Sequence, residues 1–358
     1  MLEKNSFSLP TNLFLSITNR CNLKCPHCYL DSSAQYNDLD TKAWIKIARD
    51  TAKAKIFSIV ITGGEPLVRK DFIDIIEAFD IWQTLKLNTN ATLINDKIAK
   101  FIAGRFLTVM VSIDGPQLIH DSIRGKGSYN KTVQGLKMLM NYLDKSKIYI
   151  NCTISKKNAK YMEQTINDML SLGINNLMFG EAINVGRLDS QDNDQFSLSI
   201  IDKLYIANKI KFLQNKYGKE IDISTDYFED YINLFKSITD CSYSGLSDIP
   251  LINCGAGFKS AAILYDGYMV PCNMLSQDFC DDEDNVLVNS IEDIWKHSRR
   301  FIQWRDQKNI KISDICTECD LKSRCYGGCR AESYYKYKNL KNRCDSNCII
   351  NEVDKQII

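Results

Sequence analysis

The first half of the chain alternates between two spacings of apolar residues. Short runs rich in Val, Ile, Leu and Thr at 12–18, 56–62, 84–88, 108–113, 147–154 and 176–179 predict six strands. Between them, at 41–54, 72–79, 96–103, 129–143 and 159–172, apolar residues recur every three or four positions, the period of one helix face. Strand and helix in alternation predict right-handed crossovers and a parallel sheet covered by helices. The fold class expected is α/β: a partial (β/α)6 TIM-like barrel over 1–186. Residues 187–250 read as a connecting segment with a helix near 201–215 and an Asp- and Tyr-rich stretch at 222–231. Residues 251–358 are rich in Gly and Cys with little long periodicity, which predicts a small Cys-rich domain organised by metal more than by an apolar core.

Composition narrows the class. Forty-five Lys and Arg against 44 Asp and Glu give a net charge of +1, so no global field favours nucleic acid or an anionic membrane. No run approaches the roughly 20 apolar residues that span a bilayer, and no secretory signal opens the chain. A cytoplasmic protein is expected, with neither nucleic acid nor membrane as partner. In a reducing compartment, fourteen cysteines point to metal rather than to disulfides.

In barrels of this kind chemistry sits at the carboxyl ends of the strands. After the first predicted strand, Cys21, Cys25 and Cys28 form a Cys-x3-Cys-x2-Cys loop. A [4Fe–4S] cluster takes four Cys ligands, so three leave one iron for another ligand. Zinc is the alternative, with His27 as a fourth ligand. After the second strand comes Gly63-Gly64-Glu65-Pro66, where the glycines permit close backbone approach and Glu65 offers a charge able to hold an ammonium group.

The cysteine loop followed by Gly-Gly-Glu-Pro resembles the radical S-adenosylmethionine (SAM) superfamily. The resemblance implies that Cys21, Cys25 and Cys28 bind a [4Fe–4S] cluster whose fourth iron is chelated by SAM. It further implies SAM contacts from Tyr29, Gly63, Gly64, Glu65, Asn88, Ser112 and Arg124, with Ser112 toward the ribose and Arg124 toward the carboxylate. Asp114 and Asn90 fit a strand cap as well as a SAM contact. His120 and His297 carry no motif.

The C-terminal cysteines resemble the SPASM domain, an extension that carries auxiliary iron–sulfur clusters. The match runs through Tyr265-Asp266-Gly267, Val270-Pro271-Cys272 and Cys325-Tyr326-Gly327-Gly328-Cys329-Arg330-Ala331. It implies Cys254, Cys272 and Cys329 on one auxiliary cluster and Cys316, Cys319, Cys325 and Cys348 on a second, with Cys344 competing for the last position. Residues 255–271 contain no cysteine, which leaves the fourth ligand of the first auxiliary cluster unassigned. Thiolates also suit structural zinc. Cys152, Cys241 and Cys280 stand outside the array, as small buried hydrophobes or as a thiol hydrogen donor.

The resemblance implies an enzyme that cleaves SAM to a 5′-deoxyadenosyl radical and abstracts hydrogen from substrate. The expected substrate is a ribosomally made peptide, matured by cross-link, thioether or oxidation. A tetrapyrrole side chain in haem biosynthesis, a peptide epimerisation quenched by a cysteine, and a non-enzymatic zinc or electron-transfer scaffold are the alternatives. Flavodoxin or ferredoxin is the expected reductant. The first motif lies so close to residue 1 that no separate leader-binding domain is expected ahead of it.

Overall fold

The computed structural model describes residues 8–30, 37–188, 195–225, 228, 254–306 and 328–338. Strands β1 (Asn12–Ser16), β2 (Ser58–Thr62), β3 (Thr84–Thr89), β4 (Thr108–Ser112), β5 (Ile148–Ile154) and β6 (Asn176–Glu181) fall on the six predicted runs. Each pairs in parallel with the next. Along β4 and β5 the pleat divides the side chains. Val109, Val111, Ile148, Ile150, Cys152 and Ile154 enter the main core, while Met110, Ser112, Tyr149, Asn151 and Thr153 occupy the opposite face.

Helices α1 (Thr41–Lys53), α2 (Phe72–Glu77), α3 (Asp96–Arg105), α4 (Gln117–Arg124), α5 (Ser128–Met140), α6 (Met162–Ser171) and α7 (Ile200–Tyr217) link or follow the strands. In α1 the Asp40 carboxylate accepts from the Ala43 N–H and opens the helix. Trp44, Ile47, Ala48 and Thr51 then bury one stripe against the sheet. Full burial of a large apolar side chain contributes about 1.5–3 kcal/mol, so this stripe outweighs the intrinsic propensity of a 13-residue helix.

Several expectations change. Helix α4 lies outside the expected helices, because its eight residues carry barely two turns of periodicity; Arg124 sits in its last turn. The predicted helix at 159–172 begins as a 3-10 turn, Ala159–Tyr161, before α6. Within the stretch read as connection, Asp222–Thr225 forms β7, which adds to β6.

The largest change is beyond residue 254. Strand β8 (Ser260–Ile263) pairs in parallel with the free side of β1, and β9 (Met269–Val270) returns antiparallel to β8. The result is an open sheet of nine strands in the order β7-β6-β5-β4-β3-β2-β1-β8-β9. Helices α8 (Ile291–His297), α9 (Arg299–Arg305) and α10 (Arg330–Tyr337) complete the described elements. Ile294, Trp295 and Phe301 join the main core, and Ala262, Leu264, Val270, Phe279 and Trp304 build a second one. The described part of the C-terminal region thus contributes an apolar core of its own beside its cysteines. Among the described residues no helix is long and apolar enough to cross a membrane.

Candidate functional site

The three-cysteine loop leaves the carboxyl end of β1 and is tied down at its base. Asp38 accepts from the Thr18 hydroxyl, the Asn19 N–H and Arg20 Nε. The Gly-Gly-Glu-Pro loop lies directly on this base: Gly64 N–H donates to Thr18 O at 2.8 Å and Glu65 N–H to Arg20 O at 2.9 Å. A Cβ on Gly64 would stand 2.2 Å from Arg20 O, so only glycine permits this approach. Glu65 is buried, and its carboxylate accepts from Leu67 N–H (3.1 Å), Thr89 Oγ1 (2.7 Å) and Asn90 N–H (2.7 Å). Burial raises its pKa and these donors oppose the rise. Three of about four carboxylate lone-pair sites are thus spent inside the protein.

Asn90 links this loop to the cysteines. Its Nδ2 donates to Asn22 Oδ1 at 2.9 Å and lies 4.0 Å from Cys21 Sγ. Burial pushes the Cys21 thiol up to about 12 and raises Cys25 as well. Such thiols ionise only beside added positive charge, which iron supplies. No trio of His, Cys, Asp or Glu among the described residues converges as ligands of one ion would. His27, the proposed fourth zinc ligand, is turned to Asp114, with Nε2 3.3 Å from Oδ2. Burial lowers its pKa to about 4, against the pull of Asp114.

Asp114 follows β4 and is fully buried. It accepts from Arg124 Nε (2.6 Å), Arg124 Nη2 (3.2 Å) and Thr153 N–H (3.0 Å). Burial alone would raise its pKa, but Arg124 and His27 hold it below the ordinary value. Arg124 thus spends two donors on Asp114. His120, motifless in the sequence, accepts from the Asp114 N–H through Nδ1 at 3.2 Å.

The strand face turned away from the main core forms a wall that carries unpaired polar atoms. Ser112 lies opposite Asn151 in the β4–β5 register, and Asn88 lies opposite Met110 on β3–β4. Asn151 Oδ1 and Ser16 Oγ are buried without a hydrogen-bond partner. Buried polar atoms of this kind call for a polar ligand or ordered water. Sequence reasoning missed both residues; the signal was a polar residue alternating with apolar ones inside a strand.

Tyr29, partly buried, connects the two cysteine regions, its hydroxyl lying near enough to the side chains of Thr62 and Asn273 to feel them. Asn273 adjoins Cys272, and Cys254, Cys272 and Cys329 lie near enough for their charges to interact. Burial pushes Cys272 up to about 12 and Cys329 well above its ordinary value. Cys152 is buried on the core face of β5, and Asn158 Nδ2 approaches its sulfur at 3.9 Å. Cys280 packs against the second core, its thiol toward Met269 O. Cys241, Cys316, Cys319, Cys325, Cys344 and Cys348 lie outside the described residues.

Comparison with known proteins accords with this arrangement. The Radical SAM superfamily model matches residues 15–169, and the SPASM model, an iron–sulfur cluster-binding domain, matches 254–320. The sporulation killing factor maturation protein of Bacillus subtilis is 24% identical over 313 residues, 85% of this chain and 69% of its own. The AdoMet-dependent heme synthase of Methanosarcina barkeri is 26% identical over 341 residues, 91% of this chain and 92% of its own. Among solved structures, Streptococcus suis SuiB bound to precursor peptide SuiA superposes with a TM-score of 0.76 at 19% identity, covering 96% of this chain and 77% of that one.

The chain belongs to the radical SAM superfamily of enzymes, in its SPASM-bearing branch. A SAM-binding [4Fe–4S] cluster and auxiliary iron–sulfur clusters come with these two domains. The raised buried thiols and the orphaned polar atoms of the wall fit that complement.

Proposed function

We propose that the protein cleaves SAM reductively and abstracts a hydrogen atom from a ribosomally made peptide. The observation that carries this reading is the interlock of the three-cysteine and Gly-Gly-Glu-Pro loops over a wall with unpaired Ser16 Oγ and Asn151 Oδ1. In this reading Cys21, Cys25 and Cys28 hold the first cluster. Gly63, Gly64 and Glu65 shape the backbone beside it, and Asn88, Ser112, Arg124 and Tyr29 orient SAM. When bound, the cluster supplies the electron that splits SAM into methionine and a 5′-deoxyadenosyl radical. The protein's share is to position, through loops locked before SAM arrives, and to exclude water.

Cys254, Cys272 and Cys329 are assigned to one auxiliary cluster, and Cys316, Cys319, Cys325 and Cys348 to a second. A flavodoxin or ferredoxin is the proposed electron donor. The peptide substrate is supported by the precursor peptide in the SuiB complex and the maturation role in the Bacillus relative's name. A tetrapyrrole substrate is the second reading, supported by the Methanosarcina relative. Cys152 points to the core rather than to the wall, which argues against it as a hydrogen donor.

The test is anaerobic iron and sulfide counting with a 5′-deoxyadenosine assay after SAM and dithionite are added. About twelve irons, three [4Fe–4S] clusters, and deoxyadenosine are expected. Replacing Cys21, Cys25 and Cys28 with Ala should abolish cleavage and spare the auxiliary iron. Retained cleavage would overturn the cluster assignment. Stimulation by a small peptide encoded beside the gene, rather than by a tetrapyrrole, would separate the two substrates.

A further inference from the structure

The loop that carries Cys21, Cys25 and Cys28 makes little regular structure of its own. Its internal hydrogen bonds are Cys28 N–H to Cys25 O at 3.2 Å and Leu23 N–H toward Cys21 Sγ at 3.4 Å. A ligand loop this sparse in internal bonds depends on neighbours for its shape. Its base is held by the adjacent β2 loop, but its tip reaches across the barrel mouth. Strands β2 to β5 stand between β1 and β6 in the sheet, and the two never pair.

The chain leaving β6 meets that tip. Arg187 Nη1 donates to Cys25 O at 2.7 Å, and the Arg187 N–H donates to Cys28 O at 3.0 Å. Cys25 O therefore accepts from both Cys28 and Arg187, which uses both of its lone pairs. Gly186, at φ +63°, lies against the next carbonyl. A Cβ there would stand 2.1 Å from Tyr29 O and 3.0 Å from Cys28 O.

The segment is itself anchored. Leu188 is buried with Ile123, Ala182 and Phe196, and Phe196 stacks on His27 of the cysteine loop at 6.1 Å between ring centroids. Asn184 donates to Glu332 on α10 at 3.0 Å and accepts from Ser197 Oγ at 2.8 Å.

We infer that Gly186 and Arg187 form a clasp that positions the three-cysteine loop from the far side of the barrel, closing by hydrogen bonds a mouth that the open sheet leaves unclosed. Arg187 acts through the backbone carbonyls of Cys25 and Cys28 and is a positioning residue.

The experiment uses the full chain, reconstituted anaerobically, and reads hydrogen exchange by mass spectrometry together with the rate at which a chelator removes iron. In Arg187→Ala, exchange in peptides covering 21–30 should quicken about tenfold or more, the effect of one lost charge-assisted hydrogen bond. Peptides covering β3 should exchange as before. A distinct share of the iron, about four atoms, should become chelator-labile. Gly186→Ala keeps the guanidinium but drives a methyl into Tyr29 O, and should quicken the same peptides. Should Arg187→Ala raise exchange throughout the sheet, Arg187→Lys decides, because it keeps the charge but not the guanidinium fork. Acceleration confined to the loop, in Arg187→Ala or, where that variant is perturbed throughout, in Arg187→Lys, supports the clasp; absent acceleration, or uniform acceleration in Arg187→Lys as well, overturns it. Exchange reports loop order whether or not SAM is cleaved, so failure here is distinguishable from failure of the catalytic reading.

Discussion

Arg124 faces a carboxylate that has no access to water. Asp114 is fully buried, and Arg124 covers it with two hydrogen bonds. Removing one member of a buried pair leaves the other uncompensated and costs about 3–5 kcal/mol. Arg124→Met should therefore lower the unfolding free energy by about that amount, and Arg124→Lys by less, because it keeps the charge; urea titration of the two variants measures the difference. A second pair gives a pH signature. Asp71 accepts from Arg69 Nε and Nη2 and from Thr41, while Arg69 Nη1 donates to Ile17 O and Leu39 O at the foot of the cysteine loop. Burial works to raise the Asp71 pKa, but its hydrogen bonds win and hold it below 3.8. The stability it contributes is complete above that value and is lost as pH falls through the lower folded value. Asp71→Asn should flatten the loss of stability as pH falls below about 4 relative to the parent, as followed by denaturation midpoints.

At the scale of elements, the strands that read clearly were those with one apolar face and helices on either side. Strand β8 was illegible because Ser260-Ala261-Ala262-Ile263 is short, small and set among Gly and Cys. Four-residue β7, Asp222–Thr225, carries only one buried side chain and reads as loop. Helix α4 hid for the same reason of length. The cysteine loops stood out in the sequence because close Cys spacing survives as a local pattern. Asn90 and Asp114 stood out with two roles open and Asn151 not at all, since their roles depend on which loop or strand the fold sets opposite them. β8 has neighbours on both sides: Ala262 pairs with Phe14 of β1 and Val270 of β9. Proline in the interior of such a strand removes a ladder donor. Ala262→Pro should loosen the β1 edge, and limited proteolysis should cut near residue 260 sooner than in the parent.

For the whole molecule, the question is whether the barrel and the C-terminal region are separable. Strand β1 lies between β2 and β8, so the first strand of the barrel depends on a segment almost 250 residues away for its second row of hydrogen bonds. Leu39 N–H donates to Tyr265 O, Tyr29 lies beside Asn273, and Asn184 bonds Glu332. Trp295 and Phe301 are buried in the same core as Leu13 and Leu15. These ties run through the base, the tip and the far side of the cysteine loop, so whatever orders the C-terminal region also orders the loop that carries Cys21, Cys25 and Cys28. Shortening the chain to residues 1–253 should not yield a smaller barrel. It would bare the β1 edge and the apolar surface beneath it, a combination that favours edge-to-edge association. The expected product elutes as aggregate in gel filtration and is digested at once by protease. A monomeric, protease-resistant fragment would mean that the barrel folds alone, and that the contacts crossing to β8 and α10 tune the site without building it.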